Sequence, residues 1–246
     1  MRSPSLHAAC APAQLADGLT LRGVLGDVEI ERRVLATRLN PEDHYDICLV
    51  AVRRDQIDAI LPSLAASSIP LIAFMHNHAN GSQELRDIVG ADRCVIAFPG
   101  AGGAIDADGT VRYALITEQA TMVGQEPEFG TGSKVLRDIL QDVGLRVTTT
   151  PDPDAWLRRH AVMVGALTGA LWSYGCDAAA LVRSRDGMRN FVLAVREGYR
   201  PLGRNCRRVS LPRLAGNFRL GAAAAFDRLL AALLKVARAA SPWVRP

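Results

Sequence analysis

The periodicity of apolar residues changes once along this chain, and that change limits its possible folds more than any other feature. Up to about residue 150, short continuous apolar runs alternate with segments that carry an apolar stripe at helical spacing. From Ala155 onward only helical patterns occur. Short apolar runs are typical of strands buried on both faces, and their alternation with helices favours a parallel sheet of βαβ units. The sequence therefore predicts an α/β domain followed by an all-α domain.

The predicted elements follow in a regular order. Strands are expected at 46–52, 70–75, 93–98 and 145–149, a hairpin at 104–116, and helices at 56–66, 82–89, 133–143, 155–173, 177–200 and 211–239. Asp152 followed by Pro153 is a typical helix start, because an N-cap carboxylate binds free backbone amides and proline is tolerated in the first helical position. We place the domain boundary at residues 149–153.

Composition excludes several classes of protein. Of the 246 residues, 49% are apolar and 22% are charged, which is the balance of a globular chain and not of a disordered one. The longest uncharged apolar run, residues 161–176, is interrupted by glycine and hydroxyl side chains, so we expect no membrane span. The N-terminal stretch has no apolar secretory core. We therefore expect a cytoplasmic protein.

Charge and cysteine content give weaker indications of partners. The net charge is +4, but residues 201–246 hold nine Lys or Arg and one acid, Asp227. Such a basic segment could contact nucleic acid or an anionic membrane surface, or it could be the solvated side of a helix near an anionic ligand. It matches no nucleic-acid-binding motif, so we expect neither partner. The five cysteines show no CxxC spacing, which suggests neither a disulfide framework nor a metal site.

A two-domain dehydrogenase of this layout should carry a glycine-rich turn that places a pyrophosphate on a helix N-terminus. The sequence contains no GxGxxG. In the nearest match, residues 100–105, Ile105 replaces the third small residue, and Asp106 and Asp108 would repel a pyrophosphate. A hairpin, not a helix, is predicted to follow. We interpret this segment as a glycine-rich connector to the hairpin.

Four motifs nevertheless occur in the order that they have in one known protein family. Residues 49–56 (LVAVRRDQ) resemble a strand-end VKxxQ pattern, and residues 76–85 (HNHANGSQEL) resemble HNGxGxxEEL. Residues 97–103 with 109–113 resemble a glycine-rich turn and hairpin, and residues 156–160 with 167–168 resemble a WxK…N…NPLT helix. Together, over residues 15–235, they resemble the ketopantoate reductase family (2-dehydropantoate 2-reductases). That family's first strand, glycine-rich turn, first helix and second strand have no counterpart in this sequence.

The resemblance implies a fold, an activity and a cofactor. The fold would be α/β plus all-α: an incomplete Rossmann-like parallel-sheet domain over residues 1–151, without its N-terminal strand–turn–helix, followed by a helical substrate or dimerisation domain over 152–246. The activity would be NADPH-dependent hydride transfer to the keto carbon of a small 2-keto acid, as in pantothenate biosynthesis. A homodimer is compatible with it, and no metal is expected.

The resemblance also implies cofactor-binding residues at two strand ends. Arg53 stands where the family has lysine, Gln56 matches a family glutamine, and Asn77 would contact the nicotinamide ribose or the substrate. Each has a simpler interpretation. Arg53 and Gln56 suit a solvated strand-to-helix turn, and an asparagine can bond its own turn.

The catalytic position falls on the first long helix of the second domain. By resemblance, Arg158 replaces a lysine that donates a proton to the keto oxygen, while Val162 and Ala166 replace two asparagines on the same helix face. An arginine stays protonated at neutral pH, so Arg158 would polarise the keto oxygen instead. Arg159 points about 100° away around the helix. His160 is an alternative acid, although a surface histidine is the simpler interpretation.

Two functional hypotheses therefore remain open. The first is a 2-keto acid reductase of this family, with Arg158 stabilising the oxyanion. The second is a catalytically impaired or non-catalytic relative that binds a small anion or a partner protein. The missing phosphate cradle and the apolar residues beside Arg158 favour the second hypothesis. Residues 201–246, where the family has a glutamate near the substrate, contain no glutamate.

Overall fold

The computed structural model describes residues 5–7, 19–23, 26–30, 34–36, 39–115, 119–125 and 131–202, and the structural statements below concern these residues. They form eleven strands and six α-helices. The strands are β1 (Ser5–His7), β2 (Leu19–Gly23), β3 (Val28–Ile30), β4 (Val34–Ala36), β5 (Cys48–Val50), β6 (Ile72–Met75), β7 (Cys94–Phe98), β8 (Ala101–Ile105), β9 (Val111–Leu115), β10 (Thr121–Gly124) and β11 (Val147–Thr150). The helices are α1 (Arg54–Ala66), α2 (Gln83–Val89), α3 (Gly132–Asp142), α4 (Pro153–Ser173), α5 (Ala178–Arg183) and α6 (Arg185–Tyr199).

The central sheet has the strand order β11-β10-β7-β6-β5. Strands β5, β6 and β7 are parallel to one another, as the βαβ pattern predicts, whereas β10 runs antiparallel to β7. Strand β5 forms one edge of this sheet, and the side chain of Leu49 there is 52% exposed. The inner strands β6, β7 and β10 lie between two apolar layers, which explains why β6 and β7 read as continuous apolar runs.

The two layers divide the residues of each strand by the alternation of the pleat. On one face Phe74 and Ile96 pack with Ile57 and Leu61 of α1 and with Leu157 of α4. Helix α3 covers the other face. Its Leu136 and Leu140 pack there with Ala73, Val95 and Ala97 of the sheet. The first layer is the one that joins α4 to the sheet, so the helical part of the chain is anchored there.

Two smaller sheets accompany the central one. The order β3-β2-β9-β8 gives a four-stranded sheet, and β1 pairs with β4 in parallel. The predicted hairpin is present as β8 and β9, but residues 101–105 are its first strand and not a connector. Gly103 occupies a position where a β-carbon would collide with the Arg112 carbonyl of β9. The glycines of this segment therefore permit close strand pairing, which sequence reasoning did not anticipate.

The helical region begins as predicted and then departs from the prediction. Asp152 caps α4 by accepting a 2.8 Å hydrogen bond from the Ala155 amide. The single helix predicted over 177–200 is wrong, because the chain forms two helices, α5 and α6, that meet at Ser184. The Ser184 side chain accepts a 3.0 Å hydrogen bond from the Gly187 amide, which starts the new helix. The helix predicted over 211–239, and almost all of the basic segment, lie outside the described residues.

None of the helices in the described ranges is both long and apolar enough to cross a bilayer.

Candidate functional site

The carboxyl ends of β5, β6 and β7 lie at one edge of the sheet because the three strands are parallel. The segments that leave this edge are residues 51–53, 76–82 and 99–100. Helix α4 begins beside them, where its Trp156 ring contacts Phe98 at the end of β7, with ring centroids 5.4 Å apart. Ligands of open α/β sheets bind outside the carboxyl ends of the strands, so this edge is the candidate site.

Arg53 and Gln56 lie at the end of β5 and both are exposed. The Arg53 guanidinium pairs with the Asp55 carboxylate at 2.7 Å, and this hydrogen bond is the main cause that raises the pKa of Arg53. The Gln56 side-chain oxygen accepts a 3.1 Å hydrogen bond from the Arg53 amide, which caps the start of α1. The structure thus places both residues at the edge and also gives each a local partner. Their cofactor-binding roles stay predictions.

Asn77 follows β6 and is exposed, whereas its two neighbours are buried. His76 is 7% exposed and His78 is 2% exposed, and their ring centroids are 5.5 Å apart in an edge-to-face arrangement. The Nε2 atom of His78 contacts the Gly81 carbonyl oxygen. In the tautomer that carries its proton on Nε2, the ring donates a hydrogen bond to this oxygen. Two buried imidazoles therefore support the backbone that presents Asn77 to solvent.

Burial governs the ionisation of both histidines. It lowers the pKa of His76 to about 4, and His78 and Arg54 act in the same direction. Burial is also the largest cause that lowers the pKa of His78; the hydrogen bond to Gly81 and the charge of Asp154 oppose it. Both rings are therefore mainly neutral at neutral pH.

Several buried polar atoms at this edge have no hydrogen-bond partner among the described residues. They are Arg54 Nε, both ring nitrogens of His76, His78 Nδ1 and Asp154 Oδ1. Unpaired polar atoms are costly in a protein interior, and their concentration at one place is typical of functional sites. The described residues contain no group of three or more His, Cys, Asp or Glu side chains that could hold a metal ion.

The first turns of α4 bring two charged residues to the segment after β6. Asp154 Oδ2 accepts a 3.1 Å hydrogen bond from the Ser82 amide, across 72 residues of sequence. Arg158 lies one turn further along the helix. A β-carbon at Gly81 would stand 3.5 Å from Asp154 Oδ2 and 3.8 Å from Arg158 Nη1. The predicted catalytic arginine is therefore brought to the segment that carries Asn77.

His160 is packed in an aromatic cluster at the junction of α4 and the sheet. Its ring stacks on Trp156 with centroids 4.9 Å apart and an interplanar angle of 8°, and it also contacts Phe98 at 4.3 Å. Burial lowers the pKa of His160 to about 4, so the ring is neutral at neutral pH. The aromatic cluster of Phe98, Trp156 and His160 joins α4 to the sheet.

Val162 and Ala166 face the interior of the helical region. Val162 is in close contact with Gly198 of α6, and Ala166 packs against the cluster around Leu167 and Phe191. The positions that carry asparagines in the ketopantoate reductase pattern are here part of a helix–helix interface. Of the three positions in that pattern, 158, 162 and 166, Arg158 is thus the one that carries a charge.

Sequence reasoning missed the contributions of His78 and Asp154. His78 stands where the family pattern has glycine, and Asp154 looks like an ordinary acidic residue in the first turn of a helix. A second histidine directly after a buried strand was the available signal for His78. No local signal connects Asp154 to Ser82, because that contact depends on the tertiary fold.

No protein-family model matches the sequence, and no curated protein matches it. Solved structures do match. The 2-dehydropantoate 2-reductase from Porphyromonas gingivalis W83 is 13% identical, with a TM-score of 0.67 over 96% of this chain and 82% of that one. D-mandelate dehydrogenase with NADH and anilino(oxo)acetate is 16% identical, with a TM-score of 0.66 over 87% of this chain and 68% of that one.

A third match is the dimeric ketopantoate reductase from Staphylococcus aureus, 15% identical, with a TM-score of 0.56 over 89% of this chain and 68% of that one. The structural similarity, and not the low identity, establishes the fold. The chain has the ketopantoate reductase fold, with a Rossmann-like α/β region followed by helices, as the sequence motifs predict.

Proposed function

We propose that this chain is a nicotinamide-dependent oxidoreductase that reduces small 2-keto acids, as 2-dehydropantoate 2-reductases do. One observation carries the proposal: Arg158 of α4 meets the segment of Asn77 at the carboxyl edge of the parallel strands. This is the edge at which open α/β sheets bind ligands. Residues 1–151 would bind the cofactor and residues 152–246 the substrate.

The exposed side chains at this edge suit the polar parts of NADPH. Arg53 offers a solvent-facing guanidinium at the end of β5, and Asn77 offers an amide at the end of β6. Gln56 lies one turn into α1 and would support Arg53 through its capping hydrogen bond. When bound, such a cofactor supplies a hydride to the keto carbon.

Arg158 would act on the other side of the reaction. As the hydride adds to the keto carbon, the electron pair of the C=O π bond moves to oxygen, and a guanidinium beside that oxygen stabilises the growing negative charge. A guanidinium stays protonated at neutral pH, so the alkoxide would take its proton from water. Asn77 would orient the substrate or the ribose through its amide.

The test is oxidation of NADPH by the purified chain in the presence of ketopantoate, with NADH as the alternative cofactor. The Arg158→Ala variant should lower kcat/KM by about 100-fold, the usual effect of losing a charge-stabilising group. Arg158→Lys, which keeps a cation, should retain most of the activity. Arg159→Ala is the matched control on the same helix and should behave as the unmodified chain.

A non-catalytic binding function is the second candidate, and two observations favour it. Val162 and Ala166 are packed against the helical core, and Arg53 and Gln56 already bind within their own turn. In that case calorimetry would detect no NADPH binding, and no variant of Arg158 would change NADPH consumption. That result would refute the reductase proposal.

We also propose that the chain forms a homodimer, and the similarity to the dimeric ketopantoate reductase from Staphylococcus aureus supports this. Sedimentation velocity measures this directly: a single monomeric species over a wide concentration range would refute it. A role in pantothenate biosynthesis would follow from turnover of ketopantoate in preference to other 2-keto acids.

A further inference from the structure

Two contacts fix the turn of residues 78–82. Within the turn, His78 Nε2 contacts the Gly81 carbonyl, and Gly81 itself has a φ of +95°, which glycine adopts without strain. At the end of the turn, the Ser82 amide donates to Asp154 of α4. Ser82 is fully buried, so water cannot replace Asp154 as the acceptor while this arrangement persists.

The hydrogen bond from Ser82 to Asp154 links two segments that are far apart in sequence. Each of these segments carries a candidate substrate-binding residue. Asn77 directly precedes the turn, and Arg158 follows Asp154 by one helical turn on the same face of α4. The carboxylate of Asp154 and the guanidinium of Arg158 both approach Gly81. A displacement of α4 relative to the turn would therefore change the position of Arg158 relative to Asn77.

We propose that Asp154 is a positioning residue: its carboxylate ties the turn after β6 to α4 and thereby sets the separation of Asn77 and Arg158. The catalytic consequence rests on the proposed function, whereas the tie itself does not. Asp154 touches neither substrate nor cofactor in this role, and it acts through the Ser82 amide.

Two substitutions separate the hydrogen bond from the charge. Asp154→Asn keeps a side-chain oxygen that can accept from the Ser82 amide, whereas Asp154→Ala removes the acceptor. Asp152→Ala is the matched control, because Asp152 caps the same helix through the Ala155 amide and does not bond to Ser82. The first readout is amide hydrogen exchange at Ser82, measured by NMR on the full chain. The second is steady-state kinetics with NADPH and ketopantoate.

Asp154→Ala should speed exchange at Ser82 by at least about 10-fold, as expected when a protected amide gains access to open states. It should lower kcat for ketopantoate by about 10- to 100-fold, because small misplacements of reacting groups are costly, while leaving the KM for NADPH unchanged. Asp154→Asn and Asp152→Ala should keep both the protection of Ser82 and the kcat.

Unchanged exchange at Ser82 in Asp154→Ala would overturn the inference. Equal effects of Asp152→Ala and Asp154→Ala would also overturn it, because the cause would then be general weakening of α4. Loss of protection confined to Asp154→Ala, in a chain that never oxidises NADPH, would support the tie and refute the proposed function. The two failures are therefore distinguishable.

Discussion

Gly198 of α6 lies so close to Val162 of α4 that a β-carbon at Gly198 would stand 2.5 Å from Cγ1 of the valine. Real β-carbons do not approach another carbon atom so closely, so the two helices meet at their closest here because residue 198 has no side chain. Val162 occupies a position at which ketopantoate reductases are expected to have asparagine. The helix face beside Arg158 is therefore committed to packing, and its polar chemistry depends on Arg158.

This contact predicts that Gly198→Ala destabilises the protein. The added methyl group must displace Val162 or α6, and overpacking of this kind costs about 1–3 kcal/mol in the free energy of unfolding. Urea denaturation measures the change. Gly165→Ala and Gly169→Ala are matched controls on α4, since the described residues place no atom within 4 Å of the added methyl groups apart from the adjoining backbone of the helix itself. They should stabilise the helix by up to about 1 kcal/mol. A Gly198→Ala variant as stable as these controls would contradict the interface.

Arg93 provides a second prediction, because its guanidinium bonds to backbone carbonyls at the end of α1 and in the chain that follows. The acceptors are the carbonyl oxygens of Leu64 at 3.2 Å, Ala65 at 2.8 Å, Ser67 at 2.5 Å and Ile69 at 3.1 Å, and the Val89 carbonyl is a further partner. Arg93→Ala removes this donor from the carbonyls and should cost about 2–4 kcal/mol of unfolding free energy, although the Leu64 carbonyl still accepts from Ser67.

Arg93→Lys separates charge from geometry. A lysine ammonium keeps the positive charge near the helix C-terminus but cannot reach so many carbonyls at once, so its loss of stability should be intermediate. Arg189→Ala, an exposed substitution on α6, should change the unfolding free energy by less than about 0.5 kcal/mol. If all three variants were equally stable, the carbonyl contacts of Arg93 would contribute nothing measurable.

The break between α5 and α6 gives a third prediction. Ser184 accepts from the Gly187 amide and also bonds to the Tyr174 hydroxyl at 2.6 Å. Ser184→Ala removes both contacts and should cost about 1–2 kcal/mol, the upper range for an N-cap. Ser173→Ala is the control, because that exposed serine bonds only to a carbonyl of its own helix, that of Gly169, among the described residues. Thermal unfolding followed by circular dichroism compares them, and equal melting temperatures would exclude a capping role.

Local patterns were sufficient to predict the order of the main elements. The apolar runs at β5, β6 and β7 and the Asp152–Pro153 helix start are encoded within a few residues each, and the structure confirms them. Strand β10 was missed. It is only four residues long, which is too short for an apolar period to be recognised, and its antiparallel pairing with β7 does not follow the βαβ pattern. The break at Ser184 was missed because the apolar stripe continues across it.

The candidate site was predicted only in outline. The types of residue that follow the strands indicated that the site lies at the carboxyl edge of the sheet, because parallel strands end at the same edge. The neutral histidine pair and the bond between Ser82 and Asp154 could not be predicted, because burial and contacts between distant segments determine them. The same applies to Val162, whose packing against Gly198 depends on the crossing of α4 and α6.

The last prediction concerns pH and the two histidines whose pKa values burial lowers to about 4, His76 and His160. In the unfolded chain both should titrate near their ordinary value of 6.5. Between about pH 6.5 and pH 4 the unfolded state therefore binds protons that the folded state does not, and stability falls as the pH falls. Above pH 6.5 these two histidines do not change the stability, because they are neutral in both states. As the pH falls from about 6.5 to 4, each histidine lowers the unfolding free energy by up to about 3 kcal/mol.

Carboxylates titrate in the same range, so the test is a difference between variants. His160→Phe keeps an aromatic ring for stacking on Trp156 but cannot bind a proton, so its unfolding free energy should fall less steeply with decreasing pH than that of the unmodified chain. Urea midpoints measured at a series of pH values would give both slopes. If His160→Phe and the unmodified chain lost stability in parallel, His160 would not be a buried neutral group in the folded protein.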